Sequence, residues 1–168
     1  MTRTAPHPLS RPLSLERLRR DGTEIAVEAT PAECAGLAAD FKIPAIRDLV
    51  ARFTVNGPPS RLLVTGTVRA VVTQVCTVSL EPFETEIVEP VEVAFTDTIA
   101  PEDDDPEDLD APDPIVGGRI DFGTLAAEFV ALGLDPYPRK PGVDFEPVIE
   151  DADEPALAAL RRLRPDQG

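Results

Sequence analysis

Histidine is nearly absent from the sequence. The only one, His7, lies in a polar, proline-containing amino-terminal stretch, so a histidine-based triad or a histidine general base is not expected. Neither a phosphate-cradling glycine loop nor a dinucleotide fingerprint is present. Carboxylate pairs are abundant, but a solvated acidic surface explains them more simply than catalysis does. We therefore predict that the protein is not an enzyme and binds no cofactor.

Cysteine is scarce, and long apolar runs are missing. Cys34 and Cys76 are the only cysteines; one disulfide could join them, but a reduced compartment favours two unlinked thiols. Cys76 could be a nucleophile, yet its apolar strand position and the lack of a base partner favour a small buried side chain. No run of about 18 apolar residues could span a membrane, and residues 1–12 lack the apolar core of a secretory signal. These features predict a cytoplasmic protein without a membrane partner.

Basic side chains are missing altogether from residues 71–118, and the formal net charge of the chain is -15. Binding to nucleic-acid backbones is driven by lysine and arginine, so this charge argues against broad attraction to phosphate. Ten of the sixteen basic residues lie in residues 1–70, which leaves a local basic patch there open. The acidity fits two interpretations, a surface that maintains solubility and a surface that attracts a basic partner.

The best-defined pattern is a pair of long alternating runs between Leu62 and Phe95. Side chains alternate between the two faces of a strand, so the first run has one buried and one wetter face. Gly66 and Gln74 interrupt its inward set, which predicts a bulge or a bend. Pro90 places the second run at a sheet edge or breaks it. Three glutamates make one face of the second run acidic: Glu84, Glu86 and Glu92.

Shorter alternating runs surround this hairpin. Residues 23–29 and 48–55 have the period of strands, whereas residues 11–20 fit either a strand or one helical turn. Consecutive strands are usually neighbours, so the chain predicts an antiparallel sheet built on the long central hairpin. With helices packed on one face of that sheet, the predicted fold class is α+β.

Two helices are marked by their caps. Thr30 and Glu33 form a capping-box pattern at the start of a helix that should end before Pro44. Asp121 can cap a second helix, which should end near Gly133. The apolar residues of this second helix recur at helical spacing and are interpreted as core packing: Leu125, Phe129 and Leu132.

The two ends of the chain and one internal segment differ in composition from the rest of the chain. Residues 97–114 carry nine carboxylates and four prolines; such a composition cannot offset the entropy of ordering, so we predict a mobile acidic loop. Its clustered Asp103, Asp104 and Asp105 lack the spacing and glycine of a calcium loop, so we assign no metal. We predict a disordered tail at 1–10, one domain at 11–134, and a proline-rich acidic tail at 135–168. The short helix that ends this tail either docks on the domain or stays free to meet a partner.

Three segments carry a resemblance to a known family. They are residues 75–83 (VCTVSLEPF) followed by an acidic strand, residues 118–122 (GRIDF) opening a helix, and residues 134–138 (LDPYP). In this order and spacing they resemble the YceD family, whose members are described as large ribosomal RNA subunit accumulation proteins. The resemblance runs roughly from Arg11 to the end of the chain. The motif residues are Cys76, Leu80, Pro82, Phe83, Asp121 and Leu125.

One departure from the family pattern concerns cysteine. Family members commonly show a Cys-x-x-Cys at the start of the hairpin turn; here Cys76 matches the first cysteine and Ser79 stands at the second. A tetrahedral thiolate site needs several ligands, and one motif cysteine with a distant Cys34 cannot supply them. Any metal or redox role of the paired cysteines is therefore not expected in this chain.

The resemblance implies a non-enzymatic ribosome biogenesis factor that supports 23S ribosomal RNA accumulation and large-subunit assembly. The overall charge favours binding of a basic ribosomal protein, through Glu84, Glu86, Glu92, Asp103, Asp104 and Asp105. The alternative is direct binding of ribosomal RNA through a basic patch, formed by Arg47, Arg52, Arg61 and Arg69. A third interpretation, a hydrolase, would need a concave site with a raised carboxyl pKa.

Overall fold

The computed structural model describes residues 8–18, 22–98 and 111–144. In chain order its elements are β1 (Pro12–Ser14), β2 (Thr23–Glu28), α1 (Pro31–Phe41), β3 (Ala45–Asn56), β4 (Leu62–Val75), β5 (Pro82–Thr96), β6 (Asp113–Pro114), β7 (Arg119–Asp121) and α2 (Phe122–Leu132). A five-stranded sheet has the spatial order β2-β3-β4-β5-β6. Its pairs are antiparallel except the last, in which β6 lies parallel to β5. The predicted α+β class, with an antiparallel sheet built on the central hairpin, is confirmed.

A second, two-stranded sheet joins the amino-terminal segment to the strand that precedes α2. In it β1 pairs antiparallel with β7, and Leu13 lies opposite Ile120. A 3-10 turn at Leu15–Arg17 follows β1, so the ambiguous run at residues 11–20 holds both a strand and a turn of helix. Leu9 is fully buried in the core, two residues before the predicted start of the domain.

The central hairpin pairs without interruption from Leu62 opposite Phe95 to Val75 opposite Pro82. No bulge interrupts β4 in this pair, and the alternative, a bend in the strand, stays a prediction. Gly66 is needed for a different reason: a Cβ there would overlap the carbonyl oxygen of Arg52 on β3. The inward Gln74 is buried and donates from Nε2 to the Asp135 carbonyl oxygen at 2.9 Å. Gly66 and Gln74, which interrupt the apolar set, therefore each lie in close contact with another segment of the same chain.

The irregularity lies in β3 instead. Its register with β4 shifts between Arg47 and Val50, and Asp48 there has a φ of 54°. Ile46 and Leu49 are both buried, although residues three positions apart on a regular strand point to opposite faces. A bulge places both side chains on the core face because it adds a residue to one strand only.

The helix α1 begins and ends as its sequence predicts. The Glu33 N–H donates to Thr30 Oγ1 at 3.3 Å, and the Thr30 N–H donates to Glu33 Oε2 at 2.8 Å. Lys42, with a φ of 56°, ends the helix in a left-handed conformation. Cys34 and Leu37 are buried against the sheet. The helix therefore covers the inner side of the neighbouring strand β3.

The helix α2 packs on the same face of the sheet. The rings of Phe122 and Phe53 lie 5.5 Å apart between centroids. The prediction of a core stripe was wrong for Leu132, which is 73% exposed. The buried arc is centred on Ala126, and a residue six positions further lies about 120° from it around the helix. Alanine side chains form part of this buried arc. A prediction based on large apolar residues alone therefore misplaces the arc.

Two predicted segments lie partly outside the described residues. Asp113 and Pro114, the last two residues of the predicted acidic loop, form β6; most of the loop, with its three central aspartates, is outside the described part. Leu134 packs against the core, and the following residues to Asp144 are described. His7 and the predicted carboxyl-terminal helix also lie outside.

Candidate functional site

One face of the sheet is covered by neither helix, and we call it the open face. Residues of one parity on β2 to β5 build it, while the opposite parity faces the core. Its charged side chains are the arginines Arg47, Arg52 and Arg69 and the glutamates Glu24, Glu28, Glu84, Glu86 and Glu92. The acidic and basic sets predicted as alternative binding sites therefore share one surface.

Two candidate RNA-binding arginines lie together in the middle of the open face. Arg52 lies opposite Thr67 and Arg69 opposite Val50, which makes the arginines diagonal neighbours on adjacent strands. These four residues line one shallow depression. Within the described chain neither arginine forms an ion pair. A small cationic centre results.

The other two candidate arginines do not extend this centre. Arg47 binds the Glu84 carboxylate through Nε and Nη2, at 2.9 and 3.0 Å, and also contacts Asp48. These hydrogen bonds, that of Glu84 first, raise the pKa of Arg47. Arg61 lies in the turn before β4, roughly 25 Å along the strand direction from Arg69. The predicted basic patch is therefore not continuous.

The acidic candidates follow β5 along one margin of the open face. Glu84 is neutralised by Arg47, whose hydrogen bond lowers the pKa of the Glu84 carboxyl. Glu86 and Glu92 are exposed and make no ion pair with any residue that the structure describes. Free negative charge thus lies on this margin at two positions about 20 Å apart along the strand.

The alternation of hydrogen bonds in the hairpin determines which backbone groups of β5 bond to β4 and which point away from it. The Cys76 N–H donates to the Glu81 carbonyl oxygen at 2.9 Å, and antiparallel strands bond at every second residue pair. The β5 residues that bond to β4 are consequently those of the core-facing parity. The residues of the other parity direct their backbone groups away from β4. Pro82 and Pro90 have this outward phase, so neither proline removes a hydrogen bond from the ladder.

The family-motif residues of the hairpin turn lie at the end of the same hairpin. Cys76 is fully buried, Phe83 is half-buried, and Leu80 and Pro82 are exposed. Leu80 has a φ of 59°, a left-handed conformation that closes the turn. The Cys76 Sγ accepts from the Ser79 N–H at 3.4 Å. The predicted buried position of Cys76 is confirmed, but its surroundings are polar.

Those polar surroundings shift the titration of Cys76. Hydrogen bonds from Ser79, through its side chain and then its backbone, and from the Lys140 backbone lower the pKa of Cys76 to about 6. Burial, in contrast, raises the pKa of the Cys34 thiol. Both cysteines are free and buried.

The segment after α2 is attached to the hairpin end, which the sequence did not indicate. The Thr77 N–H donates to the Pro138 carbonyl oxygen at 2.9 Å, and Lys140 Nζ lies 2.8 Å from Glu81 Oε2. With the bond from Gln74 to Asp135, these contacts hold the first part of the predicted tail in place. Partners some 60 positions apart leave no local pattern, and only the LDPYP motif pointed to this segment.

The remaining motif residues are structural. Asp121 Oδ1 accepts from the N–H groups of Gly123, Thr124 and Arg11 at 3.0, 3.1 and 2.7 Å. Burial acts to raise the pKa of Asp121, but these bonds and that of Ser10 outweigh it and the pKa is lowered. Leu125 is buried beneath the sheet. Asp121 thus joins α2 to the amino-terminal segment.

The described carboxylates do not have the raised pKa of a general acid, and no described cluster of side chains could hold a metal ion. The carboxylates whose pKa is clearly displaced all have it lowered: Glu33, Glu81, Glu84 and Asp121. A general acid at neutral pH needs the opposite shift. Among residues 8–18, 22–98 and 111–144, no three acidic, histidine or cysteine side chains come together to hold a metal ion. No described helix is long and apolar enough to cross a membrane.

Comparison with known protein families identifies a match. A family model described as "Large ribosomal RNA subunit accumulation protein YceD" matches residues 64–162. This range starts in β4, includes β5 and α2, and covers the motif residues of the hairpin and the helix cap. No curated protein matches the chain. No solved structure matches it either.

Proposed function

Because the chain belongs to the YceD family, we propose that it is a non-enzymatic factor in large-subunit assembly that supports the accumulation of 23S ribosomal RNA in the cytoplasm. The family description supplies the process, and the residues supply the mode of action. The open face, with Glu86 and Glu92 unpaired among the described residues, supports a role in binding.

The proposed partner is a basic ribosomal protein, held through the acidic margin of the open face. The observation that carries this proposal is the free charge of Glu86 and Glu92, which no described cation neutralises. The net charge of -15 also draws cationic partners toward the molecule over a Debye length of about 8 Å at physiological ionic strength. Asp103, Asp104 and Asp105 lie outside the described residues, and their part in the site stays a prediction.

Direct binding of ribosomal RNA is the second candidate, supported by the adjacent and unpaired Arg52 and Arg69. Two arginines can contact two phosphates, but nucleic-acid affinity grows with the number of phosphates neutralised. Glutamates flank these arginines on both sides, and they repel phosphate. Arg47 is already bound to Glu84, and Arg61 is distant. The acidic margin is therefore the better supported site.

Affinity capture with the tagged full chain tests this proposal. Lysate is applied at low and moderate salt, with and without ribonuclease, and both RNA and protein are identified. We expect basic large-subunit proteins to remain bound after ribonuclease treatment. The variant E86K/E92K should lose them, whereas E24K/E28K, which reverses two charges on the opposite margin of the same face, should retain them.

Other results would contradict the acidic-margin proposal. Capture of 23S precursor RNA alone, lost with ribonuclease and in R52Q/R69Q, would establish the RNA-binding alternative. Equal loss in both glutamate variants would show that only overall charge matters. Capture of neither large-subunit protein nor ribosomal RNA would count against the function itself.

A further inference from the structure

We propose that the free edge of β5 from Glu84 to Val88 binds an extended lysine- or arginine-rich segment of a protein partner as an added β-strand. The inference rests on the proposed function and adds how the partner is held. Main-chain hydrogen bonds would give this contact affinity, and side chains of alternate residues would give it selectivity.

The backbone groups on this edge of β5 are oriented so that they can form hydrogen bonds with an added strand. Because core-facing residues of β5 bond to β4, the N–H groups of Glu84, Glu86 and Val88 point away from the sheet, as do their carbonyl groups. Apart from β4 on the other edge, no described strand pairs with β5 between Pro82 and Ala94. Three consecutive outward residues without a proline give an uninterrupted set of donors and acceptors.

The same edge already carries an added strand at its other end. There β6 pairs in parallel, with Asp113 opposite Phe95 and Pro114 opposite Thr96. The Ile115 N–H donates to the Thr96 carbonyl oxygen at 2.7 Å, and Thr96 has the same outward phase as Glu84. The edge therefore accepts an extended chain where one is supplied, and the proposed site continues that line of pairing.

The side chains beside the edge select a cationic occupant. Residues with outward backbone groups also place their side chains on the open face, so an added strand would lie beside Glu86 and, further along, Glu92. Val88, 45% exposed between them, offers an apolar contact. A second copy of this chain would bring glutamates against glutamates, and like charges opposite each other are destabilising. A segment in which basic residues alternate with apolar ones places every basic side chain on the open face, where its charge faces the glutamates and its methylene stem can contact Val88.

The other edge of the sheet is less suited. The strand β2 has six residues, against fifteen in β5. Its Glu28 carbonyl oxygen already accepts from Arg11 Nη2 at 3.4 Å, and residues of the amino-terminal segment lie beside Thr23 and Glu24 around one depression. That edge is partly occupied by the chain itself.

A peptide of alternating lysine and valine, about ten residues long, is the probe for this site. Its affinity for the full chain is measured by fluorescence anisotropy, and backbone amide exchange is followed by NMR. We expect the amides of Glu84, Glu86 and Val88 to exchange more slowly when the peptide is bound. A peptide of the same sequence with methylated backbone nitrogens should give little protection, because it cannot donate to a ladder in either strand direction.

A matched pair of variants separates strand addition from charge attraction. V88P removes one outward N–H, and the prolines already present in this phase show that β5 accommodates the change. V88A removes the valine side chain but keeps the N–H. We expect V88P to weaken binding by roughly threefold to tenfold and V88A to have a much smaller effect. Thermal unfolding of both variants verifies that the fold is kept.

Several results would overturn the inference. If V88P and V88A bind equally well, or if the three amides stay unprotected with peptide bound, the partner is not an added strand; loss of binding in E86K/E92K would then leave the proposed function standing. Protection of these amides without peptide would mean that the edge is already covered. Protection that decreases on dilution would identify a second copy, and protection independent of concentration would identify another part of the chain.

Discussion

At Cys76 burial and hydrogen bonding have opposite effects on the pKa of the thiol. Its thiol is enclosed, which favours the neutral form, yet hydrogen bonds from Ser79 and the Lys140 backbone favour the thiolate. The hydrogen bonds prevail and hold the pKa at about 6, below the usual 9.0. A folded-state pKa below the unfolded value stabilises the fold fully above pH 9.0, and this contribution is lost as the pH falls through about 6.

Titration of the thiolate by its ultraviolet absorbance checks this assignment. We expect one cysteine of the folded protein to ionise with a midpoint near pH 6. The step should disappear in C76S and remain in C34S, because burial raises the pKa of Cys34. A midpoint at or above 9.0 in the folded chain would show that the hydrogen bonds around Sγ do not favour the thiolate.

At the level of elements, the start of α1 depends on an ion pair that reaches outside the helix. Arg11 Nη1 and Nη2 bind the two oxygens of Glu33 at 2.7 and 3.0 Å. These bonds, followed by that of the Thr30 N–H, lower the pKa of the Glu33 carboxyl to about 2. The carboxylate therefore serves both as half of the capping box and as the anchor of the segment before β1.

Replacement of Glu33 by glutamine should reduce stability in a pH-dependent way. E33Q retains an oxygen for the Thr30 N–H but loses the charge opposite Arg11. Because the folded-state pKa is lowered, the charge contributes fully above the usual value of 4.5 and is lost as the pH falls through about 2. Urea unfolding should show E33Q less stable than the wild type at pH 7, with the difference closing between pH 4.5 and 2.

The control for this experiment is E16Q, since Glu16 forms no ion pair with another described residue. It should unfold like the wild type across the same range. A constant difference between E33Q and the wild type down to pH 2 would mean that glutamine disturbs the cap itself and that the ion pair contributes nothing.

Elements defined by local pattern could be predicted from the sequence. The alternation of β4 placed Val64, Val68 and Val72 in the core, because neighbouring side chains of any strand point to opposite faces. The bulge in β3 also left a local signal, since Ile46 and Leu49 belong to different strand phases. The pairing of β1 with β7 left none, because three-residue strands are too short to show a period. Gly66 is required because of a close contact with another strand, and such a contact leaves no pattern in the sequence around the glycine.

The candidate site could be predicted only in part. Alternation correctly placed Glu84, Glu86 and Glu92 on one polar face. It could not reveal that Arg47 neutralises Glu84, because 37 positions separate the two residues. Whether the N–H group of a given β5 residue points toward β4 or away from it depends on which residue pairs exchange hydrogen bonds. The sequence does not distinguish the two possibilities, because both have the same alternation of side chains.

At the scale of the whole molecule, both helices cover one face of the sheet and the charges collect on the other. Three arginines and five glutamates share the open face, and the chain as a whole has a net charge of -15. An exposed sheet edge is a site of unwanted pairing between copies. The glutamates beside the edge of β5 oppose this pairing and at the same time favour a basic strand. In the proposed mode of binding, one arrangement would therefore both oppose self-association and select the partner.

Neutralising those glutamates should accordingly make the protein self-associate. In an antiparallel pair of copies centred on Glu89, each Glu86 would lie opposite the Glu92 of the other copy. Each like-charge pair costs up to about 1 kcal/mol, so E86Q/E92Q should raise the association constant by up to roughly 30-fold. Sedimentation velocity at pH 7 should find the wild type monomeric and the variant partly dimeric at high concentration. E24Q/E28Q removes the same charge from the partly occupied β2 edge and should stay monomeric; dimerisation of both variants to the same extent would trace the effect to net charge and not to the edge of β5.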